Sequence, residues 1–206
     1  MAISFMRPED HIVSDDKDLL RRLQSAGRAG PLVRLKILSD DMDEVPNGTP
    51  GEVAVHSDLI CKGYYKNPEA TRDMLRNGWL MTGDIAYKDD DGFLYLVDRK
   101  RDLIVTGGFN VYPNEVEQTI SQIDGISNVC VVGAPDQKWG EAVIAVIVLN
   151  KEISIDKEYI VEFCKNKLGS VKTPKAIHYW NELPVSANNK ILRREVRSHF
   201  WKSRER

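Results

Sequence analysis

Residues 98–113 of the chain read DRKRDLIVTGGFNVYP. Five consecutive charged residues open the stretch, and such a run suits an exposed connection between two apolar strands better than a core. We therefore expect a domain boundary at Asp98, with residues 1–97 before it and residues 98–206 from it onward. After the charges the sequence predicts a strand, a turn at the two glycines and a helix that begins at Pro113.

Before this boundary the pattern is mainly that of β-strands. Residues 32–38 alternate apolar and charged side chains, the period-two signature of a half-buried strand. Asn67 followed by Pro68 supplies a helix N-cap and a proline for the first helical position. Residues 1–28 are polar with little periodicity, so we expect an irregular lead-in. Further strands are predicted at 52–56, 80–87 and 93–97, the last two as a hairpin, and the helix is expected to end near Leu75.

After the boundary, helices alternate with strands. The helix that begins at Pro113 carries an apolar face, and Asp156 caps a later helix that is expected to end at Gly169. This alternation predicts a compact α+β domain. The fold class of the whole chain is therefore α+β, a small β-rich subdomain followed by a compact α+β C-terminal domain. Strands are predicted at 103–105, 129–132, 142–149 and 176–180, and a basic helix at 191–201.

Composition excludes several classes of function. A formal net charge of -2 gives no reason to expect nucleic acid or an acidic membrane as partner, despite the basic residues at 193–194 and 202–206. The three cysteines form no C-x-x-C pair and the four histidines show no metal spacing, so we expect no disulfide framework and no metal site. This cysteine usage fits a reducing cytosol, so a cytoplasmic protein is expected. No apolar run is long enough to span a membrane, and the N-terminus lacks the basic-then-apolar order of a signal peptide.

A carboxylate follows a tight turn in the string GWLMTGD, which ends at Asp84. In that position it can accept two hydrogen bonds from a vicinal diol such as a ribose. A Gly-Asp pair is also common turn chemistry, and taken alone the turn is the preferred explanation. Together with residues 98–113, the string indicates an enzyme that handles nucleotides.

These two stretches, with PVSANNK at residues 184–190, resemble the AMP-forming acyl-CoA synthetases, a family that includes luciferases and peptide-synthetase adenylation domains. The resemblance covers nearly the whole chain but only the last part of the family architecture. Missing are the Gly/Ser/Thr-rich phosphate loop, the aromatic-Gly-x-Thr-Glu motif and the acyl pocket. We therefore expect the C-terminal part of a synthetase, with residues 1–97 as the end of the AMP-binding domain and residues 98–206 as the lid. An expressed segment, a proteolytic piece and a truncated gene would look alike.

The resemblance implies a catalytic role for Lys190. In the family the matching lysine of a Pro-x-x-x-x-Gly-Lys motif serves acyl-adenylate formation, and a cation between the carboxylate and the α-phosphate lowers that barrier electrostatically. Pro184 and Lys190 keep the spacing, whereas Asn189 stands at the glycine position. Because asparagine can adopt positive φ, the loop geometry can be kept. The alternative is a solvated lysine before a basic helix.

Other site residues follow from the same resemblance. Asp84 and Arg99 match residues that contact the ribose of ATP, and Asp98 matches the hinge about which the lid rotates. A surface cluster of salt bridges would explain the same charges. Gly107 and Gly108 match a loop that lines the entry route of the pantetheine thiol, although a hairpin turn also needs glycine.

The resemblance implies ATP or AMP, CoA and Mg²⁺ as ligands, bound mainly through the missing part, and a small carboxylic acid, by default a fatty acid, as substrate. We expect the chain by itself to be inactive in adenylation. We also expect residues 1–97, separated from the rest of a synthetase, to expose an apolar face that favours self-association. Alternatives are an adenylation domain that loads a carrier protein, a luciferase-like oxidase and a stand-alone lid that binds a partner. Four lysines form a basic rim that either meets CoA phosphates or is a solvated helix face, namely Lys165, Lys167, Lys172 and Lys175.

Overall fold

The computed structural model describes residues 3–201, apart from the side chain of Asp18. The basic residues at 202–206 and the first two residues of the predicted lead-in lie outside this range. The chain divides into two compact units, between Arg101 and Asp102. A boundary and hinge at Asp98 remain a prediction.

The first unit is a five-stranded antiparallel sheet with two short helices and a two-stranded ribbon. In the sheet, β3 (Arg34–Leu38), β4 (Gly51–His56), β6 (Trp79–Lys88) and β5 (Leu75–Arg76) lie in that order, and β7 (Leu94–Arg99) pairs with β6. The ribbon joins β1 (Ser4–Phe5) to β2 (Arg28–Ala29), and the helices are α1 (Lys17–Arg22) and α2 (Pro68–Met74). The buried apolar residues of the sheet include one cluster of Ile37, Val53, Val55, Ala86 and Leu94 and a second of Leu38, Ala54 and Met81.

The predicted strands and capped helix of this unit are confirmed. Asn67 Oδ1 accepts a hydrogen bond from the amide of Ala70 at 3.0 Å, and Pro68 is the first helical residue. The prediction of an irregular lead-in is wrong for its described part, which contains β1, α1 and the start of β2. These elements are short, so they show little periodicity, and β1 is held by pairing with residues more than twenty positions later.

The charged run at the predicted boundary is part of regular structure. Asp98 and Arg99 are the last residues of β7, and a short 3-10 helix spans Lys100–Asp102. The exposed connection predicted between the strands is therefore only partly correct, because Asp98, Lys100 and Asp102 are half-buried.

The second unit is an α+β fold around a five-stranded sheet. Its strands β10 (Ile126–Asp136), β11 (Gly140–Leu149), β8 (Ile104–Thr106) and β9 (Phe109–Val111) lie in that order, and β12 (Ala176–Tyr179) pairs in parallel with β11. The helices are α3 (Pro113–Ile120), α4 (Lys157–Lys172) and α5 (Arg193–Trp201). The α+β prediction is confirmed.

Both faces of this sheet are covered, which explains the continuous apolar runs of β10 and β11. Val131 belongs to one buried cluster with residues of α3 and α4, whereas its neighbours Cys130 and Val132 belong to a second cluster with Val196 of α5. Successive side chains of a strand point to opposite faces, so a strand covered on both sides needs apolar residues at every position.

Helix α4 begins as predicted and continues past its predicted end. Asp156 Oδ1 accepts the amide of Glu158 at 3.2 Å. Gly169 has a φ of 76° and interrupts the helical geometry, after which one more turn leads to Lys172. Within residues 3–201, no helix combines the length and the apolar character needed to cross a membrane.

Candidate functional site

In the first unit, Asp84 and Arg99 are direct cross-strand partners on β6 and β7. Arg99 Nη1 lies 2.7 Å from Asp84 Oδ1. The aspartate is partly buried and the arginine is exposed, so the ion pair itself contributes at most about 1 kcal/mol to stability. A carboxylate offers about four lone-pair positions, so Asp84 can accept hydroxyl donors while it keeps Arg99 in place.

The turn before Asp84 is fixed by a buried carboxylate. Gly83 has a φ of 73°, and its amide donates to Glu52 Oε1 at 3.2 Å. The other oxygen of Glu52 accepts a hydrogen bond from Lys100 Nζ at 2.9 Å. The amide of Asp84 donates to Thr82 Oγ1 at 3.1 Å. Glu52 thus ties the residue before Asp84 to the residue after Arg99.

Lys100 keeps its charge in this arrangement. Burial lowers the pKa of Lys100, but the hydrogen bonds and charges of Asp40 and Glu52 outweigh burial and raise it above its usual value. The same lysine lowers the pKa of the Asp40 carboxyl. The sequence reasoning missed Glu52, although a glutamate inside the apolar strand GEVAVH is a signal, because a buried carboxylate needs a partner.

Asp98, the predicted hinge, is the penultimate residue of β7. Its Oδ1 accepts a hydrogen bond from the amide of Arg99 at 2.8 Å, and its backbone pairs with Ile85 of β6. The residue is therefore held in the sheet of the first unit, and its hinge role remains a prediction.

In the second unit, Lys190 lies on a tightly closed loop. The amide of Ser186 donates to the carbonyl of Lys190 at 2.8 Å, and the amide of Asn189 donates to the carbonyl of Ser186 at 2.9 Å. The amide of Leu192 donates to the carbonyl of Pro184 at 2.8 Å. Asn189 has a φ of 57°, so it adopts the left-handed geometry that a glycine would supply.

The side chain of Lys190 is exposed. Among residues 3–201, its ammonium makes no hydrogen bond and no ion pair. The Lys190 ammonium is therefore available to bind an anionic ligand.

The helix that follows the loop is anchored by an arginine that the sequence reasoning missed. Arg193 Nη2 lies 2.6 Å from both carboxylate oxygens of Glu117, and Nη1 lies 3.3 Å from Asp102 Oδ2. Cys130 is buried beside this group, where burial and then the charge of Glu117 raise the pKa of its thiol to about 12 against the opposing effect of Arg193.

Gly107 and Gly108 form the two-residue turn between β8 and β9, with φ values of 57° and 82°. A β-carbon on Gly107 would lie 2.7 Å from Trp139 Cε3, whereas a β-carbon on Gly108 would meet nothing within 4 Å. The hairpin alternative therefore accounts for both glycines without a ligand. An adjacent cavity of about 180 Å³ is lined by Thr106, Phe109, Trp139, Ser170, Val171 and Lys175.

Three lysines of the predicted basic rim have partners within their own unit. Lys172 Nζ lies 2.7 Å from Glu115 Oε1, Lys167 Nζ contacts Gln122, and Lys175 Nζ donates to the carbonyl of Ser170 at 2.8 Å. These contacts favour the solvated helix face over a phosphate site. Within the described ranges, no group of three or more His, Cys, Asp or Glu side chains could hold a metal ion.

Comparison with known proteins shows what the chain is similar to. Residues 115–190 match the AMP-binding enzyme C-terminal domain. A long-chain-fatty-acid–CoA ligase of Escherichia coli is 46% identical over 173 residues, which are 84% of this chain and 31% of that protein. The chain is homologous to long-chain-fatty-acid–CoA ligases. The family resemblance seen in the motifs is thereby confirmed.

A second relative and a solved structure give the same result. The medium/long-chain-fatty-acid–CoA ligase FadD8 of Mycobacterium tuberculosis is 40% identical over 208 residues, 98% of this chain and 35% of that protein. The o-succinylbenzoate CoA synthetase MenE of Bacillus subtilis, solved with an acyl-adenylate intermediate, has a TM-score of 0.82 at 34% identity and covers 94% of this chain and 38% of the synthetase. The chain thus spans about a third of the length of the ligases that it matches.

Proposed function

We propose that the chain supplies the ribose contact and the adenylation lysine of an ATP-dependent, AMP-forming acyl-CoA ligase of the fatty-acid type, acting in the cytoplasm. The overall reaction converts a carboxylic acid, ATP and CoA into acyl-CoA, AMP and pyrophosphate. The observation that carries the proposal is Lys190, whose ammonium lacks a partner among the described residues although its loop is held by backbone hydrogen bonds. Homology to fatty-acid ligases over most of the chain supports the substrate class.

Lys190 would act in the first half-reaction. A carboxylate oxygen attacks the α-phosphorus of ATP, the new P–O bond forms, and the bond to pyrophosphate breaks. Two anions approach each other and negative charge increases on the transferring group, so a cation beside both lowers the barrier. Lysine suits this contact because its ammonium is a compact point charge on a flexible stem.

Asp84 would bind the ribose of ATP. Its carboxylate can accept hydrogen bonds from both hydroxyls of the sugar, and Arg99 at 2.7 Å fixes the carboxylate and adds donors at the same edge. Glu52, through Gly83, keeps the turn in place. Asp84 and Arg99 thus lie side by side on adjacent strands, and the first unit needs no rearrangement to present both side chains to the ribose.

The remaining roles concern the second half-reaction. We assign Asp98 to the hinge between the half-reactions, and the Gly107-Gly108 turn with its cavity of about 180 Å³ to the route of the pantetheine thiol. Mg²⁺ would be bound mainly by parts of the ligase other than this chain.

The test separates the two half-reactions in the gene product that carries this sequence. Lys190→Ala should reduce ATP–pyrophosphate exchange by about 10²- to 10³-fold, as expected when a charge-stabilising group is lost. Thioester formation from supplied acyl-AMP should stay within about threefold, because Lys190 contributes only to adenylation. Lys151→Ala, which changes an exposed lysine elsewhere in the second unit, is the control. Equal loss of both half-reactions in Lys190→Ala would contradict the proposed role.

The acceptor is tested in the same preparation. CoA should accept the acyl group from acyl-AMP, and a phosphopantetheinyl carrier protein should not. A preference for the carrier protein would contradict the CoA ligase assignment and would support the carrier-loading alternative.

A further inference from the structure

The position of Lys190 depends on where the last helix begins. A hydrogen bond from the amide of Leu192 to the carbonyl of Pro184 closes the loop, and Val185 and Ile191 form a bridge just inside it. Helix α5 starts at the next residue, Arg193. Any shift of the first turn of α5 is therefore passed to the Lys190 backbone within three residues.

The first residue of α5 is held by two carboxylates from other elements. Arg193 makes two hydrogen bonds of 2.6 Å to Glu117 on α3 and one of 3.3 Å to Asp102 in the 3-10 helix. The side chains of Arg193, Glu117 and Asp102 are 22%, 15% and 21% exposed. This burial makes the charge-assisted bonds stronger and more directional than a surface ion pair.

Glu117 is itself fixed to the sheet. Its Oε1 accepts the amide of Val131, in the middle of β10, at 2.7 Å. The guanidinium of Arg193 directs Nη2 at Glu117 and Nη1 at Asp102, and the single nitrogen of a lysine cannot reproduce these two fixed directions. The loop of Lys190 is thus connected through Arg193 to a central strand of the second unit.

Buried apolar residues before and after the loop also hold it against the second unit. Leu183 precedes the loop, and Val196 lies in the first turns of α5; both belong to the buried cluster around Cys130. Apolar contacts of this kind keep the loop and α5 packed against the core, but they do not set the orientation of either, since such contacts have little directional preference. Arg197 Nη2, which contacts Glu141 Oε1 at 2.6 Å, and Trp201 Nε1, which donates to the carbonyl of Gly133 at 3.0 Å, orient the later turns of α5, whereas the Arg193 hydrogen bonds orient its first residue, next to the loop.

We propose that Arg193, held between Glu117 and Asp102, is a positioning residue that orients the Lys190 loop for the adenylation half-reaction. This inference rests on the role proposed above for Lys190. A displacement of about 1 Å in a catalytic group can cost about 10²-fold in rate. The backbone hydrogen bonds of the loop join residues 184–192 to one another, so they hold its shape but do not prevent such a shift of the whole loop.

The experiment compares Arg193→Gln with Arg194→Gln in the same gene product. Arg194 is exposed and adjacent, so the control has the same change of charge and nearly the same place in the sequence. We expect Arg193→Gln to lower ATP–pyrophosphate exchange about 10- to 100-fold, whereas transfer from supplied acyl-AMP changes less than about threefold. Arg194→Gln should leave both half-reactions within about twofold of the wild type.

Hydrogen exchange gives a readout that does not depend on activity. The amide of Leu192 is protected by the carbonyl of Pro184, so its exchange should accelerate at least about tenfold in Arg193→Gln and should not change in Arg194→Gln. An Arg193→Gln variant with wild-type exchange at Leu192 and wild-type adenylation overturns the inference.

Two milder variants keep the test decisive if Arg193→Gln does not fold. Arg193→Lys keeps the charge but loses the two-point contact, and Glu117→Gln removes one charge but keeps an acceptor for the amide of Val131. Both should lose adenylation to an intermediate degree, and activity equal to that of Arg194→Gln would overturn the inference. If instead Lys190→Ala keeps adenylation, the proposed function has failed, independently of the behaviour of Arg193.

Discussion

Replacement of Gly107 by alanine should disrupt the β8–β9 hairpin, whereas the same change at Gly108 should be milder. Both residues have positive φ, so each alanine adopts an unfavourable backbone conformation. Only at Gly107 does the added methyl also meet a neighbour, because it would lie 2.7 Å from Cε3 and 3.1 Å from Cζ3 of the Trp139 indole.

The magnitudes follow from these two causes. An alanine in the left-handed region costs about 1–2 kcal/mol, which is the whole expected loss of unfolding free energy for Gly108→Ala. Gly107→Ala adds about 1–3 kcal/mol, because the indole has to move to relieve the overlap. Trp139 is 41% exposed, so its ring can move outward, but the amide of Gly107 donates to the Trp139 carbonyl at 2.8 Å and holds the backbone. The difference of about 1–3 kcal/mol corresponds to at least about 4 °C in Tm for a unit of this size.

A double-mutant cycle isolates the steric part. Unfolding free energies of Gly107→Ala and Gly108→Ala are measured by urea titration in the wild type and in Trp139→Ala. In the Trp139→Ala background, the cost of Gly107→Ala should fall to that of Gly108→Ala. Equal costs of the two glycine variants in the wild type, or a Gly107→Ala cost unchanged by Trp139→Ala, would refute the steric argument.

Two further predictions concern titratable groups. Burial, and then nearby basic groups, lower the pKa of His178, so the unfolded chain binds the proton more readily; stability is complete above about pH 6.5 and declines as the pH falls. The decline in Tm between pH 7.5 and pH 5.5 should be smaller in His178→Gln. Burial raises the thiol pKa of Cys130 to about 12 and of Cys164 to about 11, whereas Cys61 is exposed. A thiol reagent at pH 7.5 should therefore label one cysteine in the native protein and all three after unfolding, and rapid native labelling of Cys130 would contradict the structure.

Local sequence patterns predicted most of the elements because local forces produce them. The hydrogen bond from the amide of Ala70 to Asn67 joins near neighbours in the sequence. The alternation of apolar residues in β3 and the apolar runs of β10 and β11 each lie within one element. The left-handed geometry of Asn189 was also predictable, since it follows from a local backbone preference.

Contacts distant in sequence were not predictable in the same way. The pairing of β1 with β2 and the acceptor role of Glu52 depend on which strands become neighbours. The spacing of apolar residues predicts which face of an element is buried, but it does not predict which other element packs against that face.

The sequence by itself determined the resemblance to acyl-CoA ligases, the α+β class and the candidate residues Asp84, Arg99 and Lys190, because motif spacing and residue chemistry are local properties of the chain. Only the tertiary structure decided which groups hold those residues in place. Arg193 meets Glu117 and Asp102 across separations of 76 and 91 residues, and these pairs form only after the sheet has brought their elements together. The directional hydrogen bonds of a buried arginine depend on that assembled geometry, and no local pattern specifies it.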